Sequence, residues 1–291
     1  MLHRRRLARW GSTATVLVSL AAAPLATLAA GRAEAVELGP ASVLTAFYDF
    51  EAPGGDLLAP GSDPELRVRV LGDLASADRV AVIVPGVGHG AKEFEADVIE
   101  PDSMLGRAWA LFDAGAAESA SAALGEDGAP SLAVIAFLGY APPKGADALA
   151  AGGIRAGAAN LAELQRGLAR AYPDAQVTWA CHSFGSLVCA SALAGASPDA
   201  VVFLGSPGVM VPSAQDLPTS APVFAARGPA DPIALAALLR ALGGGFGPNP
   251  ASEDFGATIL PADRDAGHSD YFRPGSTQLA ALAEVVMADR R

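Results

Sequence analysis

The sequence predicts an α/β domain in which a mainly parallel central sheet lies between helices on both faces. Short, continuously apolar and β-branched runs recur along the chain, as expected for strands buried on both sides. Between them lie stretches whose apolar residues follow helical spacing, the alternation that builds parallel sheets inside helical layers. In addition, one strand run passes directly into a turn and a helix through Val177-Thr178-Trp179-Ala180-Cys181-His182-Ser183-Phe184-Gly185.

The expected strands are Val68–Leu71, Val80–Val84, Leu132–Phe137, Val177–Cys181, Val201–Leu204, Val223–Ala225 and Thr258–Leu260. A helix is expected over Met104–Ala117, with Leu105, Ala108, Trp109 and Phe112 on one face. A second covers Arg155–Tyr172, where Leu161, Leu164, Leu168 and Tyr172 share a face. Others follow at Phe184–Leu193, Ala234–Leu242 and Thr277–Ala288. The Pro- and Gly-rich stretches Ala52–Pro64 and Gly243–Asn249 read as loops, and neither separates regions of different composition. Residues 36–291 are therefore expected to form a single domain, with no internal repeat. In a sheet of this kind the ligand site lies beyond the carboxyl ends of the strands, so the chemistry is sought in the loops that follow them.

The N-terminus has a different character. His3-Arg4-Arg5-Arg6 and Arg9 precede an apolar run from about Thr13 to Ala30, which exits through Ala33-Glu34-Ala35. A basic head, an apolar middle and a small-residue exit describe a secretory signal peptide over residues 1–35. The alternative is an uncleaved anchor, because about 18 apolar residues just span a bilayer. Pro24 and the many alanines make the run only modestly apolar, which favours cleavage. The expected location is outside the cell or in its envelope, and the paired arginines hint at twin-arginine export.

Composition narrows the function classes. The 291 residues are 51% hydrophobic and 18% charged, which excludes disorder and supports a large core. The formal net charge is −11, and loss of residues 1–35 would leave 15 basic and 30 acidic residues, a net −15. Such a chain repels phosphate backbones and anionic lipid, so nucleic acid is not expected as a partner. Four histidines and two cysteines are too few for a zinc-finger-type site or a disulfide framework, and no metal is expected. Cys181 and Cys189 bracket the sharp turn and are read as two small buried thiols, not as a mutual bond.

The strand–Ser–helix junction is the setting of a nucleophile elbow, G-x-S-x-G. The turn is tight enough to require small residues two before and two after the serine. Gly185 meets that requirement, whereas position 181 is Cys instead of Gly. The geometry would expose the Ser183 hydroxyl at the head of a helix, whose positive end favours negative charge. A serine needs a base to become a nucleophile. His3 leaves with the signal, and His182 is adjacent to Ser183 and should point away from it, to pack or orient the elbow. His89 follows an early strand. His268 lies after the last strand, and the chain order Ser, acid, His makes it the candidate base.

The acid that would orient the imidazole is assigned to Asp231, after the strand at Val223–Ala225. Asp263 and Asp265 sit too near His268 in sequence, Asp216 belongs to a surface loop, and Asp231 could itself be a plain helix cap. Oxyanion donors are expected at the backbone N–H of Phe184 and of Val87, with Gly88 as the neighbouring alternative. Gly86-x-Gly88-x-Gly90 lacks the full dinucleotide fingerprint, so no cofactor is expected. Phe184 and Tyr140 are read either as core or as acyl-pocket lining.

Four separated segments add a resemblance. They are Gly139-Tyr140-Ala141-Pro142-Pro143, Leu204-Gly205-Ser206-Pro207-Gly208-Val209, Ala226-Arg227-Gly228-Pro229-Ala230-Asp231-Pro232 and Gly267-His268-Ser269-Asp270-Tyr271-Phe272. Together they resemble a bacterial α/β-hydrolase family catalogued as the domain-of-unknown-function 1023 alpha/beta hydrolases, over about Val80 to the C-terminus. The resemblance implies an α/β-hydrolase fold with Ser183, Asp231 and His268 in the triad positions. Members usually carry Gly where this chain has Cys181, and many have a helical N-terminal region for which residues 36–78 are too few. No substrate comes with it. The expected function is a secreted serine hydrolase acting on small-molecule or lipid-like esters through an acyl-enzyme. The competing expectations are a non-catalytic cell-envelope binding protein on the same scaffold, or an acyltransferase or peptidase with the same triad. Nothing in the sequence specifies the oligomeric state.

Overall fold

The computed structural model describes residues 66–88, 102–122, 130–141, 152–235 and 246–290. The expected signal segment 1–35, the loop Ala52–Pro64, His89 and most of the expected helix Ala234–Leu242 lie outside the described residues.

Seven strands form one sheet: β1 (Arg67–Leu71), β2 (Arg79–Val84), β3 (Leu132–Leu138), β4 (Gln176–His182), β5 (Ala200–Leu204), β6 (Val223–Ala226) and β7 (Thr258–Ile259). Their order is β1-β3-β2-β4-β5-β6-β7. Only β1 runs antiparallel to its neighbour β3; the other pairs are parallel. Among the described residues, four helices accompany them: α1 (Met104–Ala122), α2 (Gly152–Ala171), α3 (Gly185–Ala192) and α4 (Thr277–Met287). All seven strand runs and four of the expected helices are thus present, and the expected parallel sheet with helices on both faces is the observed architecture.

Every residue of β2, β3, β4 and β5 is buried, which is why β3, β5 and β2 beyond Arg79 read as unbroken apolar runs and not as alternation. Successive side chains still point to opposite faces. Val80, Val82 and Val84 enter a core shared with Leu161, Leu164 and Leu168 of α2 and Leu187 of α3. Ala81 and Ile83 enter the other, with Met104 and Leu111 of α1 and Leu282 and Val286 of α4. Edge strand β1 alternates instead, with Val68 and Val70 buried and Arg67 and Arg69 half-buried. On α1 the buried face consists of Met104, Leu105, Ala108 and Leu111, whereas Trp109 is 39% exposed. Trp109 therefore does not share the buried face, because the step of about 100° per residue from Ala108 turns it outward.

Register levels the carboxyl ends of the strands. Val84 pairs with Cys181, Cys181 with Phe203, Phe203 with Ala225 and Ala225 with Ile259, one row across five strands. Two residues beyond that row, in the loops that follow the strands, stand Gly86, Ser183, Gly205 and Arg227. The strand order reverses between β2 and β4, the position at which sheets of this kind hold their ligand site. No helix among the described residues is long and apolar enough to cross a membrane.

Candidate active site

Ser183 follows β4 directly and has φ of 54°, a left-handed conformation that a serine adopts only when its surroundings enforce it. Its N–H donates to the carbonyl of Leu204 at 2.8 Å, so the β4–β5 pairing extends through the strained residue. Helix α3 begins two residues later. A Cβ on Gly185 would lie 2.5 Å from the Val84 oxygen and 2.6 Å from the Pro85 oxygen, so only glycine fits there. In the loop after β2, a Cβ on Gly86 would stand 2.6 Å from the Ser183 Cβ and 3.0 Å from its Oγ. The loop expected to supply an oxyanion donor therefore abuts the serine, with Val87 partly exposed beyond it.

The two cysteines overturn the expectation of separate thiols. Cys181 and Cys189 form a disulfide across eight residues of sequence, and no cysteine is free. The turn at Ser183 does not hold them apart. It folds α3 back against β4 and brings their Cα atoms to 6.4 Å, within the reach of a disulfide. The Ser186 hydroxyl adds a second tie, donating to the Cys181 carbonyl at 3.2 Å.

Ser183, His268 and Asp231 are brought together. His268 Nε2 lies 2.8 Å from Ser183 Oγ, and its Nδ1 lies 2.9 and 3.0 Å from the two carboxylate oxygens of Asp231. An ionised carboxylate can only accept, so Nδ1 carries the proton and Nε2 is left to accept from the serine hydroxyl. The Asp231 side chain is fully buried and the His268 ring is 29% exposed. Asp231 also accepts from the N–H of Ile233 at 2.8 Å and from the hydroxyl of Tyr271 at 2.5 Å. The bond from Ile233 makes Asp231 a turn-forming residue as well as a partner of the imidazole, so the two sequence readings of this residue are compatible. Burial pushes the Asp231 carboxyl up, but the bonds from His268, Tyr271 and Ile233 outweigh it and hold the group below the usual carboxylate range. The competing carboxylates are engaged elsewhere: Asp263 and Asp265 pair with Arg273 at 2.9 and 3.1 Å, and Asp216 accepts from Ser213.

Three further residues of the site carried no role in the sequence reading. Tyr271 bridges the loops after β6 and β7, donating to Asp231 and accepting from the Gly228 N–H at 3.0 Å. Burial first, and then the hydrogen bond to Asp231, raise its hydroxyl well above the ordinary tyrosine range, so it remains a donor. It lies three residues after His268 in the Gly267–Phe272 segment, which marked the region but not this contact. Gly205 has φ of +55° and sits under the pair, since a Cβ there would approach Asp231 Oδ2 to 2.8 Å and His268 Nδ1 to 3.1 Å. Arg107, on the first turn of α1, is buried, and its Nη1 lies 3.0 Å from Nδ1 of His182.

Phe184 and Tyr140 are both buried, as core residues would be. They stack with ring centroids 6.3 Å apart, and Phe246 meets Phe184 edge-on at 6.4 Å. The Tyr140 hydroxyl donates to the carbonyl of Pro85, at the root of the Gly86–Gly88 loop. Among the described residues, no group of three or more His, Cys, Asp or Glu side chains could hold a metal ion.

No curated protein matches the sequence. Among solved structures, the chain is similar to a carboxylesterase from Mesorhizobium loti, at 15% identity and TM-score 0.45, covering 81% of this chain and 100% of that one. It is also similar to an α/β serine hydrolase without a lid from Xanthomonas campestris (18%, TM-score 0.41, 76% and 86% covered). A third is esterase 2 from Thermogutta terrifontis (12%, TM-score 0.43, 83% and 98% covered). A profile described as alpha/beta hydrolase matches residues 61–241, from before β1 to beyond Asp231. Because that match takes in more than half of the sequence, including the elbow, the chain belongs to the alpha/beta hydrolase family.

Proposed function

We propose that the chain is an exported serine hydrolase that cleaves carboxylic esters of small-molecule or lipid-like type, and that it falls with the bacterial domain-of-unknown-function 1023 alpha/beta hydrolases its sequence resembles. The observation that carries this reading is the continuous contact from Asp231 through His268 to Ser183, with the serine in a left-handed turn. In the proposed reaction, Ser183 Oγ attacks the ester carbonyl carbon while His268 Nε2 takes its proton. The imidazolium is stabilised by Asp231. The negative charge on the former carbonyl oxygen is held by the backbone N–H groups of Phe184 and of Val87 or Gly88. Collapse breaks the bond to the leaving alcohol, which takes the proton from His268. Water then attacks the acyl-enzyme by the same route and releases the acid.

Two other observations support the reading. The disulfide explains why Cys181 departs from the elbow pattern, and with that the sole sequence hint for a non-catalytic scaffold loses its force. Disulfides also persist in oxidising compartments, in keeping with a signal segment at residues 1–35.

The test is turnover of a panel of p-nitrophenyl esters of graded acyl length, together with labelling by a fluorophosphonate probe, which reacts only with an activated serine. Wild-type protein should hydrolyse the shorter esters and take up the probe. Ser183→Ala should do neither while keeping the wild-type circular dichroism. Equal turnover by the variant would overturn the assignment.

A further inference from the structure

Behind the proposed base stands a second histidine that the reaction scheme leaves unused. His182 is the last residue of β4 and is buried. Its ring centroid lies 4.8 Å from that of His268 and 5.7 Å from that of Tyr271. Its Nε2 is 2.8 Å from the backbone carbonyl oxygen of His268, and its Nδ1 is 3.0 Å from Nη1 of Arg107. A guanidinium can only donate and a carbonyl can only accept. The His182 ring must therefore accept at Nδ1 and carry its proton on Nε2, so Arg107 selects the tautomer that donates to the His268 main chain.

Arg107 is an expensive residue to keep there. Burial lowers its pKa to about 10, against a smaller opposing effect of Asp102, and it remains a cation at neutral pH. Its guanidinium carbon lies 5.7 Å from the centre of the Phe272 ring, and its Nε–H finds no hydrogen-bond partner among the described residues. A buried cation with an unused N–H opposes folding, and an apolar side chain of similar size would pack the site as well or better. Its position next to the elbow histidine suggests a task other than packing.

We propose that Arg107 and His182 form a positioning relay for His268. Arg107 fixes the tautomer of His182, and His182 fastens the backbone of His268. Asp231, which grips Nδ1, then needs only to set the rotation of the ring. The relay also ties the base to the strand that carries the nucleophile, since His182 and Ser183 are consecutive. A small drift of the loop after β7 is thereby converted into a strain on β4, a strand buried along its whole length. The inference rests on the Ser183–His268–Asp231 reading given above.

Three variants test it with p-nitrophenyl acetate. His182→Phe keeps the bulk and removes the ring's hydrogen bonds to Arg107 and to the His268 carbonyl. His182→Gln keeps an N–H in reach of the His268 carbonyl. Arg107→Met removes the tautomer selection without touching the elbow. For His182→Phe, kcat should fall about 10²-fold with KM changed by less than about threefold, the pattern of a misplaced catalytic group. His182→Gln should recover about tenfold of that loss, and Arg107→Met should lower kcat about tenfold at an unchanged or higher Tm.

Wild-type kcat in both His182→Phe and Arg107→Met would overturn the relay. So would a loss confined to KM, or a Gln variant no better than Phe. If His182→Phe fails to fold, Arg107→Met decides alone. Fluorophosphonate labelling separates this inference from the reading beneath it. Wild-type protein that takes no probe overturns the triad assignment and the relay with it, whereas normal labelling with unaffected variants overturns the relay only.

Discussion

Tyr271→Phe isolates what the tyrosine hydroxyl contributes to Asp231. The ring stays in place, but two hydrogen bonds vanish: the one donated to Asp231 Oδ2 at 2.5 Å and the one accepted from the Gly228 N–H at 3.0 Å. A bond to an ionised, buried acceptor contributes about 2 kcal/mol, and a buried N–H left without a partner costs about 1–2 kcal/mol. The variant should therefore lose about 3 kcal/mol at neutral pH, and its Tm should fall by about 6–12 °C for a chain of this size. The first part of that loss depends on the Asp231 charge and the second does not. In the folded chain Asp231 titrates below the usual range. Its contribution to stability is complete above the unfolded value of about 3.9 and disappears as pH falls through the folded value. Tyr271→Phe weakens the depression, so the gap between wild type and variant should hold above about pH 3.9 and narrow as pH falls below it. Urea midpoints at pH 7, 5 and 3, followed by the fluorescence of Trp109 and the buried Trp179, measure it. A gap that is the same at all three, or under about 1 kcal/mol at pH 7, would refute the coupling of the hydroxyl to the carboxylate charge.

Two other perturbations probe the same corner of the sheet. Replacing both Cys181 and Cys189 by Ala opens a loop of eight residues of separation, and the chain-entropy account assigns its closure about 2.5 kcal/mol, a fall of about 5–10 °C in Tm. Reduction of the wild type by a phosphine should reproduce the shift, and alkylation should find two thiols only after reduction; a Tm indifferent to both treatments would exclude the bond. Gly205→Ala places a methyl group 2.8 Å from the Asp231 carboxylate and 3.1 Å from His268 Nδ1 in a left-handed residue. Turnover of p-nitrophenyl acetate should fall by about 10²-fold or more, and retention of wild-type kcat would show that the pair can move aside freely.

The sheet was legible in the sequence because its strands are buried on both faces. Val80–Val84 and Leu132–Phe137 are apolar at every position, so no change of environment interrupts the run. The proposed triad was legible for a related reason: parallel strands place their functional residues in the loops at one end, and few histidines compete. Contacts that depend on how the chain folds back were not. Cys189 follows Cys181 by eight positions, and in an extended or gently curving chain the two would not meet; only the reversal at Ser183 brings them together. The expected export already implied an oxidising compartment, and that was the signal that could have favoured the bond. Tyr271 and Gly205 lie in segments singled out by resemblance, yet their roles depend on the juxtaposition of the loops after β5, β6 and β7, which a linear reading does not supply. Trp109 failed for a smaller reason, since one helical position separates it from the buried Ala108.

The conformation at Ser183 needs a physical source of support, because a left-handed serine costs of order 1–2 kcal/mol. Four constraints surround it. The β4–β5 ladder continues through its own N–H to Leu204. The glycine at 185 lets α3 start against the Val84 and Pro85 carbonyls. The Cys181–Cys189 bond and the Ser186 hydroxyl hold the first turns of that helix to the strand it has just left. Each constraint acts on a different atom of the turn, so relaxing φ toward ordinary values would break several at once. The same strand end also carries His182, which reaches the backbone of His268. Strain at the proposed nucleophile and placement of the proposed base thus draw on one rigid element, β4. A substitution that loosens the end of β4 should therefore disturb both partners together.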